Sequence, residues 1–140
     1  MKIFLDANIL ISVVNKEYPL FTVSSRILSL SNHPQFEVFT SPICLAIAFY
    51  YAEKKNKSTA RKKIQLLCEN IAVTDMPSSI VKKAIDNKKI IDIEDGLEYY
   101  AAVESGCSCI VSEDTDDFYF ADCEVLNSED FFMKYLAKKN

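Results

Sequence analysis

The amino-acid sequence predicts a single α/β domain built on a mostly parallel β-sheet. The chain has 140 residues, the length of one domain, and 49% of them are hydrophobic, which is enough to form a core without disulfides. Short unbroken apolar runs, of which residues 3–5 are the first, are typical of strands that are covered on both faces. Segments with helix-start signals lie between these runs, and this alternation is typical of parallel sheets with helical connections.

Five apolar segments are predicted to form the strands. Ile3, Phe4 and Leu5 are consecutive in the first segment, as expected for a strand buried on both faces. Ile110 and Val111 are likewise consecutive in the fourth segment. In chain order, the predicted strands cover residues 2–5, 37–40, 71–74, 107–112 and 123–126.

Capping residues and prolines mark the starts of the predicted helices. Ser41 and Pro42 are a favourable pair of N-cap and first helical residue, and Asp92 is the predicted N-cap of a helix that Gly106 closes. The other predicted starts are Pro19, Ser58, Pro77 and Ser128. The predicted helices cover residues 19–31, 42–55, 58–69, 77–84, 92–105 and 128–136. Because no linker or repeat interrupts this order, residues 1–140 are predicted to form one domain.

The scarcity of glycine and histidine excludes several kinds of site. The only glycines are Gly96 and Gly106, so the chain has no glycine-rich phosphate-binding loop. The only histidine is His33, which excludes a histidine-based catalytic triad and a zinc site of the HExxH type. Polar chemistry must therefore depend mainly on carboxylates, lysines, hydroxyls or thiols.

The cysteines and apolar runs favour a cytoplasmic protein. Five cysteines without a CxxC pair have mostly apolar neighbours, so we expect them to be buried, reduced and unreactive. Asp6 follows the N-terminus too closely for the apolar core of a signal peptide. The longest apolar run, residues 43–52, is too short to span a bilayer, so we expect no membrane association. The cysteines are Cys44, Cys68, Cys107, Cys109 and Cys123.

Charge is distributed unevenly along a chain whose formal net charge is −4. Residues 92–130 contain thirteen acidic residues and no Lys or Arg, whereas residues 54–63 contain six basic residues and no acid. Such runs are often solvated surfaces. Alternatively, crowded carboxylates bind a divalent cation, and a separate basic segment holds a polyanion beside it. Charge alone does not decide between these two interpretations.

Four aspartates are the candidate metal ligands. Asp6 follows the first predicted strand, Asp114 and Asp117 follow the fourth, and Asp95 lies in the first turn of a helix. In parallel α/β sheets, ligands bind beside the carboxyl ends of the strands, and carboxylate oxygens suit Mg²⁺ or Mn²⁺. Each position also has a structural interpretation, because aspartates cap helices and occur in exposed turns. Asn8 is expected either to cap a helix or to orient Asp6.

Three segments, in this order, resemble the PIN-domain family, and within it the VapC-like toxin ribonucleases. Residues 3–10, Ile-Phe-Leu-Asp-Ala-Asn-Ile-Leu, are similar to the opening strand with its metal-binding aspartate. Residues 92–102 are similar to the central acidic helix, in which Asp95 falls on the ligand position. Residues 109–118 are similar to the motif of a strand followed by Thr/Ser-x-Asp/Asn-x-x-Asp-Phe, with Ser112 on the hydroxyl position. The resemblance covers nearly the whole chain.

This resemblance implies a three-layer α/β/α sandwich and a metal-dependent endoribonuclease that is the toxin of a type II toxin–antitoxin pair. It also implies one or two Mg²⁺ or Mn²⁺ ions, which would polarise the RNA phosphate. The implied metal ligands are Asp6, Asp95, Asp114 and Asp117, and the implied positioning residues are Asn8 and Ser112. The expected partners are an RNA substrate, a cognate antitoxin and a second copy of the chain in a homodimer.

Six basic residues and four tyrosines are candidates for contacts with RNA. The basic residues are Lys54, Lys55, Lys57, Arg61, Lys62 and Lys63, although a basic segment is as often a solvated surface. Tyrosines are suited to stacking on bases, although at helical spacing they usually pack in a core or an interface. The four are Tyr50, Tyr51, Tyr99 and Tyr100.

One position departs from the family's pattern. The family usually has a glutamate early in the helix after the second strand, and Ile47 occupies that position here. Glu53 lies six residues later, about 240° further around the helix, so it is not a simple substitute. A one-metal site is therefore more plausible than two. The alternative function is a catalytically impaired domain that acts only by binding nucleic acid or protein.

A second enzyme class is compatible with part of the pattern. Haloacid-dehalogenase-type phosphatases use an aspartate after an apolar strand as the nucleophile, with a second acid two residues later. In this chain Asn8 occupies that second position, and no convincing lysine motif precedes Asp114. Phosphoryl transfer through Asp6 is therefore the less favoured hypothesis.

Overall fold

The computed structural model describes residues 1–137, and these contain one five-stranded sheet. The strands are β1 (Lys2–Leu5), β2 (Glu37–Thr40), β3 (Ala72–Val73), β4 (Cys109–Val111) and β5 (Glu124–Leu126). They lie in the order β3-β2-β1-β4-β5, and all four neighbouring pairs are parallel. The predicted α/β class is confirmed, with a sheet that is wholly parallel. The single domain predicted for residues 1–140 also includes residues 138–140, which lie outside the described part.

Helices connect the strands and cover the sheet. In the described part of the chain they are α1 (Ala7–Val14), α2 (Leu20–Leu28), α3 (Pro42–Lys55), α4 (Lys57–Asn70), α5 (Ser78–Asp86), α6 (Ile93–Glu104) and α7 (Ser128–Phe131). The chain runs from β1 outward to β3 through α1–α4, then returns to β4 through α5 and α6. Because parallel crossovers are right-handed, this reversal places the two groups of helices on opposite faces, as the predicted three-layer sandwich requires.

The central strand β1 explains why the sheet is buried on both faces. Ile3, Phe4 and Leu5 are fully buried, and Ile3 pairs with Val38 on one side and Cys109 on the other. The order of the strands reverses beside β1, because the chain leaves it toward β2 and returns next to it as β4. The carboxyl ends of β1 and β4 therefore form a crevice of the type in which α/β proteins bind ligands.

Several local predictions differ from the structure in their details. Asn56 rather than Ser58 caps α4, and Asn127 rather than Ser128 caps α7, because the asparagine side chains accept backbone N–H bonds there. The last helix is α-helical only over Ser128–Phe131 and continues as a π-helix over Phe132–Leu136. The helix α1, for which a possible cap at Asp6 was the only sequence signal, begins directly after that residue.

The prediction that every cysteine is buried was wrong for Cys68. Cys44, Cys107 and Cys109 are buried and Cys123 is half-buried, whereas Cys68 is exposed. In α4, Leu67 points into the core, and its neighbour Cys68 lies about 100° further around the helix. All five are free thiols. Within residues 1–137, no helix combines the length and the apolar character that crossing a bilayer requires.

Candidate active site

A cleft of about 280 Å³ opens at the carboxyl ends of β1 and β4, facing the start of α6. It receives side chains from four separate parts of the chain. Its lining consists of Asp6, Ala7, Asn8, Ile11, Ile47, Tyr51, Asp92, Glu94, Asp95, Asp114 and Asp117. All four aspartates that the sequence nominated as metal ligands therefore lie around one cleft, although more than a hundred residues separate the first from the last.

Asp6 lies at the floor of this cleft, and the end of the sheet holds it there. Its backbone N–H donates to the Val111 carbonyl at 3.0 Å, which continues the pairing of β1 with β4 by one residue. The side chain is buried, and its Oδ1 accepts a 2.7 Å hydrogen bond from the N–H of Ala7 at the start of α1. Capping α1 uses only Oδ1, whereas the second oxygen, Oδ2, accepts from Ser112. The capping role of Asp6 is therefore compatible with a role in the cleft.

Ser112 and Asn8 join Asp6 to Asp114 through one hydrogen-bond network. The Ser112 hydroxyl donates to Asp6 Oδ2 at 2.6 Å and accepts from the Asp114 N–H at 3.1 Å. Asn8 Nδ2 lies 3.2 Å from both Ser112 Oγ and Asp114 Oδ2, and Asn8 Oδ1 accepts from the Glu113 N–H at 3.2 Å. The Ser112 hydroxyl therefore uses its one proton and both lone pairs. A positioning role for Asn8 and Ser112 would use these contacts, and that role stays a prediction.

The turn after β4 places Asp114 and Asp117 on the same rim. A short 3₁₀-helix spans Thr115–Phe118, and Phe118 is buried beneath it. In a 3₁₀-helix, residues three apart lie on one side, which directs both aspartates to the cleft. Asp116 belongs to the same turn and does not line the cleft.

The first turn of α6 supplies the opposite wall. Asp92 is the N-cap, accepting a 2.9 Å hydrogen bond from the Glu94 N–H, and it lines the cleft as well. Asp95 is half-buried one turn into the helix. Burial first, and then the negative charges of Asp92 and Asp117, raise the pKa of Asp95 to about 7. The shift therefore reflects both the loss of hydration on burial and the nearby negative charges.

No basic residue balances this charge among the cleft-lining residues of the described chain. The ion pairs formed within residues 1–137 lie elsewhere, at Lys82–Asp86, Lys83–Glu104 and Lys134–Glu124. The oxygen-only donor set fits a hard divalent cation such as Mg²⁺ or Mn²⁺ and does not resemble a zinc site of thiolates and imidazoles.

Beneath Asp6, two further residues complete a buried acidic cluster that the sequence analysis missed. One carboxylate oxygen of Glu98, one of Asp6 and the sulfur of Cys44 all lie within 4.8 Å of one another. The Cys44 thiol donates to Glu98 Oε1 at 3.3 Å. Burial, and then the charge of Asp6, raise the pKa of Glu98 to about 10. The sequence contains a pattern that could have identified Glu98. This residue follows Asp95 by three residues and interrupts the apolar part of the same helix.

The basic residues occupy a different part of the surface. Lys55 donates to the Asn15 carbonyl, and none of the six basic residues lines the cleft in the described structure. Lys54 is linked to the cleft through Tyr51. Its Nζ lies 4.5 Å from the ring centre of Tyr50 and 5.7 Å from that of Tyr51, which lines the cleft. Tyr50 and Tyr51 are exposed and do not pack in the core, whereas Tyr99 is buried and Tyr100 is half-buried, as expected for core residues.

Comparison with known proteins agrees with this arrangement. The family model described as "PIN domain" matches residues 2–116, which is most of the chain.

The chain belongs to the PIN-domain family. It is 32% identical over 143 residues to a curated protein, Ribonuclease VapC1 of Aquifex aeolicus (strain VF5), and the alignment covers 96% of this chain and 95% of that protein. The predicted kinship with VapC-like PIN domains is therefore confirmed.

Solved structures show the same fold at lower sequence identity. VapBC2 from Rickettsia felis, bound to a DNA fragment from its promoter, matches with a TM-score of 0.69 at 18% identity, covering 91% of this chain and 98% of that one. VapC20 of Mycobacterium tuberculosis, described as a sarcin–ricin loop cleaving toxin, matches with a TM-score of 0.62 at 12% identity, covering 87% and 98%. In this chain Ile47, and not an acid, lines the α3 side of the cleft.

Proposed function

We propose that this PIN domain is a Mg²⁺- or Mn²⁺-dependent endoribonuclease that hydrolyses RNA phosphodiester bonds. The observation that carries the proposal is the convergence of Asp6, Asp95, Asp114 and Asp117 on one cleft that has no basic residue in its described lining. The similarity to Ribonuclease VapC1 supports RNA as the substrate.

The four aspartates would hold the cation. When bound, the ion polarises the phosphate, lowers the pKa of a water molecule and stabilises the charge on the leaving oxygen. The chain's own contribution is positional. Ser112 fixes Asp6, Asn8 fixes Asp114, and the capped first turn of α6 fixes Asp95, so the ligands are held before the substrate arrives.

The wall formed by α3 is suited to a nucleobase and its phosphate. Ile47 and Tyr51 line the cleft on this side, and the exposed ring of Tyr51 offers a stacking surface. Lys54, one turn further along α3, lies over the Tyr50 and Tyr51 rings and is placed to contact a phosphate. The other five basic residues would act only on a longer RNA that extends beyond the cleft.

The proposed biological role is that of a toxin in a type II toxin–antitoxin pair. The support is the similarity to VapC1 and the shared fold with the VapBC2 and VapC20 structures. A cognate antitoxin would be the protein partner and the cytoplasm the place of action. The homodimer implied by the family resemblance stays a prediction.

Cleavage of a labelled RNA in Mn²⁺ tests the enzymatic proposal. Asp95→Asn and Asp117→Asn should each lower the rate by about 100-fold or more, because each removes an anionic ligand from the cation site. Asp116→Asn is the matched control, since Asp116 belongs to the same turn as Asp117 and does not line the cleft. Its rate should stay within about twofold of the parent, as expected for a substitution outside the site.

The alternative, a binding module without catalysis, has a specific observation in its favour. Ile47 lies in the cleft where the family usually has a glutamate. This alternative predicts that the parent chain binds RNA and leaves it intact in both Mg²⁺ and Mn²⁺. Equal cleavage by the parent, Asp95→Asn and Asp117→Asn would instead assign the activity to a contaminant and overturn the proposed site.

A further inference from the structure

Glu98 is a buried acid whose second oxygen has no partner. The residue is 1% exposed, and its Oε1 accepts the Cys44 thiol proton at 3.3 Å. Within the described chain, its Oε2 has no hydrogen-bond partner. Buried carboxylate oxygens are normally satisfied, because an unpaired one loses its hydration without compensation. The absence of a partner for Glu98 Oε2 therefore needs a physical explanation.

The position of Glu98 relates it to the cleft. It lies one turn after Asp95 on α6, so both side chains leave the helix on the same face. Its carboxylate lies within 4.8 Å of an Asp6 oxygen, on the buried side of that residue. The Cys44 sulfur is 3.9 Å from Asp6 Oδ1, and the thiol has only one proton to donate to the two carboxylates.

The same cluster lies against the part of α3 where a carboxylate is missing. Cys44, which contacts Glu98, precedes Ile47 by three residues on α3 and lies on the same side of that helix. Ile47 lines the cleft and brings no charge to it. The Glu98 carboxyl group of the facing helix α6 thus contacts α3 one helical turn before the position that lacks an acid.

We propose that Glu98 supplies to the cation site the carboxylate that α3 lacks at Ile47. The unpaired Oε2 is the group that would face the ion beside Asp6. This inference rests on the metal dependence proposed above and adds a residue of α6 to the ligand set. The competing explanation is that Glu98 only supports Asp6 within the protein core.

Direct measurement of Mn²⁺ binding separates these explanations. Calorimetry or the paramagnetic resonance of free Mn²⁺ gives the affinity without relying on RNA cleavage. Glu98→Gln keeps the size of the side chain and its capacity for hydrogen bonds, and it removes the ability to ionise when a cation binds. It should weaken Mn²⁺ binding by more than roughly 100-fold, because removing a group that only orients a ligand already costs roughly 10- to 100-fold. Glu104→Gln, on the exposed end of the same helix, is the control and should bind as the parent does.

A second pair of variants tests whether the two carboxylate positions are interchangeable. Ile47→Glu should restore most of the lost affinity in the Glu98→Gln protein and should add little to the parent chain. Such non-additivity is expected only if both carboxylates serve one ion. Circular dichroism verifies that each variant is folded. Should Glu98→Gln not fold, Glu98→Asp takes its place, because its shorter side chain withdraws the carboxylate from the ion. A weakened affinity that Ile47→Glu restores would support the proposal, and a parental affinity would contradict it.

The outcomes distinguish this inference from the function on which it rests. If Asp95→Asn weakens Mn²⁺ binding while Glu98→Gln matches the parent, Glu98 is structural and the inference fails alone. Equal gains from Ile47→Glu in both backgrounds lead to the same conclusion. If the parent chain binds no Mn²⁺ at all, the metal-dependent function fails, and the role of Glu98 fails with it.

Discussion

At the scale of single residues, a hydroxyl group determines how the acidic site is arranged. Ser112 is fully buried and contacts Asp6, Asn8 and Asp114 through one oxygen. A buried carboxylate such as Asp6 needs donors on its oxygens, and here the Ala7 N–H and the Ser112 hydroxyl provide them. The sequence identifies the aspartates as candidate ligands, but the Ser112 hydroxyl determines how Asp6 and Asp114 are placed relative to each other.

Ser112→Ala should therefore lower both stability and metal binding. It leaves Asp6 Oδ2 and the Asp114 N–H without their partner, which costs about 1–3 kcal/mol of the free energy of unfolding. Urea unfolding measures the stability, and Mn²⁺ calorimetry measures the site. Ser112→Thr keeps the hydroxyl and should retain more of both properties than the alanine variant. A fully stable Ser112→Ala protein with parental Mn²⁺ affinity would contradict the role given to this network.

At the scale of secondary-structure elements, α3 carries one wall of the site and α4 does not. The N-cap of α3 is Ser41, whose buried hydroxyl accepts from the Cys44 N–H at 3.2 Å. The cleft face of the same helix then carries Cys44, Ile47 and Tyr51 at helical spacing. The following helix, α4, begins at its own cap, Asn56, and contributes nothing to the cleft lining.

The two caps give a matched pair of substitutions. Ser41→Ala and Asn56→Ala should each cost about 1 kcal/mol of stability, the usual effect of removing an N-cap side chain. Only Ser41→Ala should also slow RNA cleavage, because loosening the first turn of α3 moves Cys44 away from Asp6 and Glu98. Thermal unfolding and the cleavage assay measure the two effects. A similar loss of cleavage in both variants would mean that general stability, and not the position of α3, limits activity.

At the scale of the whole molecule, the acidic cleft and the basic segment are separate surfaces. A polyanion is repelled by the carboxylates unless a cation is bound, so under the proposed function the basic residues would provide the attraction that brings RNA to the protein. Of these residues, Lys54 is linked to the cleft through Tyr51, whereas Lys62 lies on α4.

Lys54→Ala should consequently weaken RNA binding more than Lys62→Ala. The loss of one phosphate contact should lower the affinity several-fold and reduce the slope of log affinity against log salt by about 1. Binding is measured by fluorescence anisotropy at several salt concentrations, in the Asp117→Asn background so that the RNA stays intact. An equal or larger effect of Lys62→Ala would indicate that RNA approaches across α4.

The sequence by itself determined the fold class, the order of the strands and of every helix except α1, and the aspartates that meet in the cleft. It could do so because strand burial, caps and strand-end acids are local signals, repeated along one chain. Only the tertiary structure decided that Glu98 and Cys44 lie beneath Asp6 and that the six basic residues lie outside the cleft. These facts depend on how α3 and α6 approach each other across the end of the sheet, and no local pattern in either helix encodes the distance between them.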